Sequence, residues 1–230
     1  MQDKNLEIKV FGIGGAGQQI VDDLYLNNKC ENIEFIVINS DEQILNSAKI
    51  KSKILISQEK TLYDKVIANM PKTVLKFMNL QLLIYKICKL INPKQSLGCN
   101  GDPEAGKEYA IRHINKICEV VGNPDVVFLV SSFGAGTGTG ATPVIAKMLS
   151  EIGIKTIAII GTPFLWEGRK RKVQASYGIK ELKQYVEKCI VIDYQSLFEN
   201  FPPNTPLNAG WNYAYEKVAE VFHKAINGSY

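Results

Sequence analysis

Histidine and closely paired cysteine, the ligands of many structural metal centres, are scarce in this sequence. It has two histidines, His113 and His223, and none of its five cysteines lies in a CxxC spacing. The odd number and scattered positions of the cysteines argue against a disulfide framework and against a zinc site. The first ten residues, MQDKNLEIKV, include no apolar signal segment, so we expect a cytoplasmic protein.

A membrane-length apolar run and a strong charge of one sign are also missing. The apolar stretch at residues 74–91 includes three lysines together with Asn79 and Gln81, which are too many polar groups for a membrane span. The net charge is only +4 and the lysines are spread along the chain, so no nucleic acid partner is predicted. A chain of 230 residues, 46% of them hydrophobic, can bury a sizeable core.

Strand and helix patterns alternate along most of the chain. A strand that ends in a glycine cluster is followed by an amphipathic helix and a second buried strand, which is one half of a doubly wound sheet. We therefore predict an α/β fold with a doubly wound, mostly parallel sheet and helices on both faces. The predicted strands cover residues 6–11, 35–38, 52–56, 126–130, 155–160 and 189–192, and the predicted helices cover residues 18–26, 104–121, 143–152, 170–187 and 211–226.

Residues 58–95 interrupt this alternation. They contain two helical patterns, divided by Pro71 and ended by Pro93. We interpret the segment as a helical insertion packed on the domain edge, or alternatively as a docking surface. Since no linker composition divides the chain, we expect a single domain over residues 1–230, with a closing helix at 207–228 and no second domain.

Two glycine-rich segments each follow a predicted strand and precede a predicted helix. The first, GIGGAG at residues 12–17, fits GxGxxG, whose glycines let phosphate oxygens approach the N–H groups at a helix N-terminus. With Asp41 after the second strand, it suits a dinucleotide site, although such turns also serve plain packing. The second, GAGTGTG at residues 134–140, adds backbone N–H groups and two hydroxyls. Two such segments on neighbouring strands suit a nucleotide held from both sides. We call them the two glycine cradles.

A third segment, GDPEAGKE at residues 101–108, comes close to the P-loop pattern. It has Glu108 at the position where a P-loop needs a hydroxyl for Mg²⁺, and a carboxylate there would repel phosphate. No buried strand is predicted before it. We therefore reject a P-loop at this segment.

The segment GAGTGTG resembles the signature loop of the tubulin/FtsZ family, and further segments resemble family motifs in the same order. The resemblance runs from about residue 8 to 228, apart from residues 58–95, and implies the nucleotide-binding domain of that family with GTP or GDP and Mg²⁺ as ligands. The further segments are GGAGQQ at 14–19, NSD at 39–41, LGCNGDPEAG at 97–106, ATP at 141–143 and PFLWEGRKR at 163–171.

The resemblance implies a role for each matched position. Both glycine-rich segments would hold the diphosphate, Asp41 and the turn at residues 98–100 would face the γ-phosphate and its Mg²⁺, and Glu167 and Arg171 would contact the ribose. Without the resemblance, Glu167 and Arg171 would be interpreted as a solvated ion pair. The implied nucleotide-binding residues are Gly14, Gly15, Ala16, Gly17, Gln18, Asp41, Gly98, Cys99, Asn100, Gly136, Thr137, Gly138, Thr139, Gly140, Glu167, Arg171, Tyr194 and Tyr215, with Asp41 as an indirect metal ligand and no catalytic residue assigned.

The sequence departs from the family where the base would be read. The PND-like triplet of the family is replaced by residues 193–195, DYQ, so Tyr194 stands where the family has its guanine-reading residue. Matching EVFHKAING at 220–228 to the end of the last helix places Tyr215 at the stacking position and Ala219 at the second base-reading position. A register shifted by four would make Trp211 the stacking residue. The loss of both readers weakens the case for guanine specificity, with Tyr194 and Gln195 left as alternative readers of the base.

Family members continue past this helix into an acidic loop and a second domain, which complete the pocket of a neighbouring subunit, whereas this sequence ends at Tyr230. We therefore expect an FtsZ-like guanine-nucleotide-binding protein of the cytoskeletal, cell-division type. It would associate with itself or with a full-length FtsZ-like protein and show little GTPase activity alone. Two alternatives stay open at this point. One is a non-catalytic interaction protein with a weak or empty pocket, and the other is a Rossmann-type NAD-binding oxidoreductase.

Overall fold

The fold is built on one parallel sheet. A computed structural model describes residues 6–27, 32–57, 98–199, 201–202 and 206–226. The helices predicted within 58–95 and the last two residues of the predicted closing helix lie outside these ranges. Within them, the sheet consists of β1 Ile8–Ile13, β2 Ile33–Asn39, β3 Ser52–Leu55, β4 Val126–Ser132, β5 Lys155–Thr162 and β6 Lys188–Asp193.

The strand order is β3-β2-β1-β4-β5-β6, and every neighbouring pair is parallel. The prediction of a doubly wound α/β fold is thus confirmed, and the described sheet is parallel throughout. The chain moves outwards from β1 to β3 and then returns to place β4 on the other side of β1. This reversal opens a crevice at the carboxyl ends of β1 and β4, where ligands of doubly wound sheets bind.

Helices cover both faces of the sheet, as the near-continuous apolar strands require. One face packs against α3 Pro103–Arg112, α4 Ile114–Val121, α5 Gly136–Glu151 and α6 Arg169–Leu182. The other packs against α1 Gly14–Asn27, α2 Glu42–Ser47 and α8 Leu207–Ile226. A 3₁₀ turn at Leu165–Glu167 and the short helix α7 Tyr194–Phe198 follow β5 and β6.

Several helix boundaries differ from the sequence prediction. Helices α1 and α5 begin inside the glycine-rich segments, at Gly14 and Gly136, rather than after them. The predicted helix at residues 104–121 is two helices, because the backbone of His113 leaves helical geometry (φ −104°, ψ 11°) and separates α3 from α4. None of the helices in the described ranges combines the length and the apolar character that crossing a bilayer requires.

Candidate functional site

A cavity of about 460 Å³ lies at the carboxyl edge of the sheet. Its volume is within the usual range for small-molecule sites. Residues that follow β1, β2, β4, β5 and β6 all contribute to its wall. The residues that line it are Ile13, Gly14, Gly15, Ala16, Asn39, Ser40, Asp41, Ile44, Gly98, Cys99, Asn100, Gly101, Ser132, Phe133, Ala135, Gly136, Thr137, Gly138, Pro163, Glu167, Arg171, Tyr194 and Trp211.

The strand order sets the order of chemical groups along this cavity. Asp41 follows β2, the first glycine-rich segment follows β1, the second follows β4, Glu167 follows β5, and Tyr194 follows β6. Because neighbouring strands lie about 4.8 Å apart, the five strands from β2 to β6 span about 19 Å. The cavity therefore suits an elongated ligand, with a carboxylate at one end, glycines in the middle and aromatic rings at the other end.

The middle of the cavity is formed by two helix N-termini that meet. Gly14 at the start of α1 has a φ of +76°, and a Cβ placed on it would lie 3.1 Å from the backbone nitrogen of Gly138 in α5. A side chain at Gly14 would thus be strained and would crowd the second helix. The unpaired N–H groups of the first turns and the positive ends of both helix dipoles favour an anion between them.

A cluster of hydroxyl and thiol groups joins three separate segments beside this middle region. The Ser40 and Thr137 hydroxyl oxygens lie 2.5 Å apart, which ties the end of β2 to the first turn of α5. The Cys99 thiol donates to Ser40 at 3.2 Å and accepts from Thr137 at 3.5 Å. These bonds hold the turn at residues 98–101 against the end of β2 and the second glycine-rich segment, and leave short polar side chains on the wall.

Asp41 caps α2 as well as lining the cavity. Its Oδ1 accepts from the backbone nitrogens of Gln43 and Ile44 at 2.9 and 3.1 Å. No group of three or more His, Cys, Asp or Glu side chains suitable for a metal ion occurs in the described ranges. A hard cation beside Asp41 would therefore need most of its oxygen ligands from the bound molecule and water, which is the coordination that Mg²⁺ usually has with phosphates.

Gln18 lies behind the cavity wall rather than in it. It is 1% exposed, and its Nε2 donates to the carbonyl of Ile44 at 2.6 Å. Its Oε1 accepts from Asn39 at 3.4 Å, and Asn39 Oδ1 in turn accepts from the backbone nitrogen of Asp41 at 3.1 Å. Gln18 therefore supports the segment that carries Asp41, a role that its position in the motif does not indicate.

Three further residues of the glycine-rich motifs pack the fold and do not line the cavity. A Cβ on Gly17 would lie 2.5 Å from the carbonyl oxygen of Val130, so Gly17 lets α1 approach β4. Thr139 Oγ1 accepts from the backbone nitrogen of Gly134 at 2.8 Å. Gly140 faces the backbone of α3. The alternating glycines of GAGTGTG thus divide between the ligand side and the helix-packing side of α5.

Glu167 and Arg171 form an ion pair that is largely withdrawn from solvent at the carboxylate. The Glu167 side chain is 10% exposed, and its Oε2 lies 2.5 Å from Arg171 Nη1. Its Oε1 accepts from the backbone nitrogen of Phe164 at 2.9 Å. The Arg171 side chain is 48% exposed, so the pair is solvated on the arginine side, while Glu167 also fixes the 3₁₀ turn at the cavity wall.

Aromatic side chains form the end of the cavity beside β6. Tyr194 is fully buried, and its ring lies 5.5 Å from that of Phe164 and 5.9 Å from that of Trp211. Trp211 lines the cavity, whereas Tyr215, one helical turn later, lies 6.0 Å from Trp211 and does not line it. Burial raises the pKa of Tyr215 to about 12, and the Glu167 carboxylate acts in the same direction. Of the two candidate stacking residues, Trp211 is thus the one that lines the cavity.

The model of the tubulin/FtsZ family GTPase domain matches residues 7–202. The chain belongs to the tubulin/FtsZ family. Its fold is similar to that of FtsZ from M. jannaschii, solved as an empty dimer, with 30% identity and a TM-score of 0.74 over 95% of this chain and 53% of the other. The chain spans about half the length of such solved relatives.

More distant relatives share the fold. CetZ2 from Haloferax volcanii, solved as a GTPγS-bound protofilament, has 17% identity and a TM-score of 0.70 over 94% of this chain and 56% of its own. CetZ1 from the same organism, solved as a GDP-bound monomer, has 20% identity and a TM-score of 0.69 over 94% and 58%. The likeness to these proteins extends over nearly all of this chain.

Within this tubulin/FtsZ domain, thirteen of the eighteen residues expected from the sequence line the cavity, and Gly17, Gln18, Thr139, Gly140 and Tyr215 do not. Sequence reasoning missed Ser40, Ser132 and Pro163 as lining residues, and it gave Trp211 only as the alternative stacking residue. Ser132 ends the strand before the second glycine-rich segment, and Pro163 opens the matched segment after β5. Position at the carboxyl end of a strand was therefore the signal that could have identified both.

Proposed function

We propose that this chain binds GTP or GDP, together with Mg²⁺, in the cavity at the carboxyl edge of the sheet. The observation that carries the proposal is the meeting of the α1 and α5 N-termini at Gly14 and Gly138. Two facing sets of N–H groups suit a diphosphate better than a single one does. The ribose would lie beside Glu167 and Arg171, and the base would stack on Trp211 rather than on Tyr215.

The residues at the Asp41 end of the cavity fit a magnesium-bound phosphate chain. Asp41 offers a carboxylate there, and Ser40 and Thr137 offer hydroxyl oxygens. Asp41 would hold Mg²⁺ through water, since its Oδ1 already accepts two backbone hydrogen bonds. The ion would neutralise charge on the terminal phosphates. The turn at residues 98–100 would close this end around the last phosphate.

Nucleotide binding is expected to raise the melting temperature. At a nucleotide concentration one hundred times Kd, binding contributes about 2.7 kcal/mol, which corresponds to a rise of about 5–10 °C for a chain of this size. Differential scanning fluorimetry with GTP, GDP and NAD, each with Mg²⁺, measures it. GTP and GDP should shift the transition, and NAD, whose second nucleoside would replace the terminal phosphates beside Asp41, should not. Absence of a shift with both guanine nucleotides would contradict the proposal and favour the non-catalytic interaction protein.

The proposal includes slow GTP turnover by the chain alone and association with itself or with a full-length FtsZ-like protein. Asp41 and Glu167, the carboxylates that line the described cavity, both accept hydrogen bonds from backbone N–H groups and so serve to hold the protein's own turns. Association is supported by the dimeric and protofilament forms in which FtsZ and CetZ2 were solved.

Turnover and association can be measured on the same sample. Phosphate release should be slower than that of M. jannaschii FtsZ assayed beside it, and sedimentation velocity with GTP and Mg²⁺ should show assemblies that grow with protein concentration. Addition of the full-length protein tests mixed assembly. Turnover equal to that of the full-length protein, or a monomer under every condition, would contradict the corresponding part of the proposal.

A further inference from the structure

The aromatic end of the cavity is closed by a tyrosine whose polar atom already has a partner. Tyr194 is fully buried, and its hydroxyl lies 2.7 Å from the hydroxyl of Ser132, with either atom able to donate. Burial raises the pKa of Tyr194 above its ordinary value, so the phenol stays neutral at physiological pH. The hydroxyl of this side chain is therefore used inside the protein wall.

The ring of Tyr194 is fixed in this position by the strand beneath it. A Cβ built on Gly161 in β5 would overlap the Tyr194 hydroxyl and the ring carbon that carries it. Only a glycine at this position allows the ring to lie on the strand. Phe164 and Trp211 contact the ring from other sides, at 5.5 and 5.9 Å between centroids. Turning the phenol towards a ligand would thus require the surrounding rings to repack.

The residues that flank Tyr194 also use their oxygen atoms within the protein. Asp193 Oδ1 accepts from the backbone nitrogen of Gln195 at 3.2 Å and from Thr162 Oγ1 at 3.1 Å, and Oδ2 accepts from Ser196 at 2.9 Å. Gln195 Oε1 accepts from the backbone nitrogen of Leu165 at 3.0 Å. Neither Asp193 nor Gln195 lines the cavity. The acceptor oxygens of Asp193 and Gln195 are thus used in the cap of α7 and in the turn after β5.

Selection of guanine over adenine needs an acceptor that is committed to the base edge. Guanine presents N–H donors where adenine presents a ring nitrogen acceptor, and a carboxylate or amide oxygen aimed at that edge accepts from the first and repels the second. A hydroxyl can rotate to donate or to accept, so it pairs with either base. Of the groups described above, the aromatic end offers rings, the Ser132–Tyr194 hydroxyl pair and the Glu167 carboxylate, whose two oxygens accept from Phe164 and Arg171.

We propose that this site binds adenine and guanine nucleotides with similar affinity, because Tyr194 replaces base-edge recognition with a closed aromatic wall. The inference rests on the proposed nucleotide binding and deepens it. Stacking on Trp211 accepts any base, since every base has a π face. The glycine cradles supply the affinity through the phosphates, which adenine and guanine nucleotides share.

Calorimetric titration with GDP and ADP, each with Mg²⁺, tests the inference. A site that aims buried hydrogen bonds at a ligand edge separates analogues by about 10⁴–10⁵-fold. Here the two Kd values should differ by less than about tenfold, the factor that one ordinary hydrogen bond supplies. A larger preference for GDP would overturn this inference and leave the proposed function intact. Binding of neither nucleotide would overturn both.

A variant at Tyr194 and a control variant at Tyr177 test whether the phenol hydroxyl contributes to the choice of base. In Tyr194→Phe, the GDP to ADP affinity ratio should stay the same while thermal stability falls, because the Ser132 hydroxyl loses its partner. The control Tyr177→Phe, at a side chain 71% exposed, should change neither quantity. A change in the ratio by about tenfold or more in Tyr194→Phe would show that the phenol reads the base and would overturn the inference.

Tryptophan fluorescence supplies an independent readout of stacking. The chain has two tryptophans, so Trp166→Phe leaves Trp211 as the sole reporter at the cavity. GDP and ADP should quench this signal to the same extent, whereas inorganic pyrophosphate, which has no base, should bind with little quenching. Quenching by GDP and not by ADP at saturation would overturn the inference.

Discussion

Replacing Gly140 with alanine is expected to lower the free energy of unfolding by about 2–3 kcal/mol, in the upper range for overpacking a close contact. A Cβ on Gly140 would overlap the carbonyl oxygen of Pro103 and lie 2.6 Å from the backbone nitrogen of Lys107. Both atoms belong to the backbone of α3, so no side chain can rotate away. Urea unfolding followed by circular dichroism measures the change, and the melting temperature should fall by about 4–12 °C.

Gly15→Ala is the matched control for this substitution. Gly15 also lies in the first turn of a helix that begins in a glycine-rich segment, but a Cβ there would meet only the side chain of Ile44, at 3.8 Å. Because alanine is favoured over glycine in helices, Gly15→Ala should keep or slightly raise stability. If Gly140→Ala were as stable as Gly15→Ala, the close packing of α3 on α5 would be contradicted.

The outcome at Gly140 also marks what the sequence could and could not predict about the site. Glycine segments between a strand and a helix predict phosphate binding because they expose N–H groups at a helix N-terminus. The same residue type permits close packing of backbones, as at Gly106, where a Cβ would lie 2.5 Å from the carbonyl oxygen of Gly136. Which glycine serves which purpose depends on where α3 lies, and α3 comes from a distant part of the chain.

The fold itself was more accessible from sequence than the site. The doubly wound sheet could be predicted from buried apolar strands such as FIVI and VVFLV together with the helical patterns after β1 and β4, whereas α2 after FIVI was not predicted. For Trp211 and Tyr215, by contrast, the sequence could not predict which of the two lies at the cavity. They lie one turn apart on α8 and share a face, so periodicity cannot choose between them. The packing of Phe164, 4.8 Å from Trp211, places that ring at the cavity, and this contact joins segments distant in sequence.

Ala16→Asp is expected to abolish nucleotide binding while leaving the fold intact. Ala16 lines the cavity in the first turn of α1, within the first glycine-rich segment. A carboxylate there would meet the diphosphate, and forcing like charges together costs several kcal/mol, so Kd should rise by about 100-fold or more. The same carboxylate is favourable for the helix, because it lies at the positive end of the α1 dipole. The melting temperature without nucleotide should therefore stay equal or rise.

Gln19→Asp separates the local effect from a general effect of charge. Gln19 lies on the same helix but is exposed and does not line the cavity, so the variant adds the same charge outside the cradle. It should bind GDP with nearly the affinity of the unmodified chain, and calorimetric titration compares the two. If Ala16→Asp retained GDP binding, the phosphates could not lie between the N-termini of α1 and α5, and the position proposed for the nucleotide would be wrong. If both variants lost binding equally, net charge rather than the cradle would control affinity.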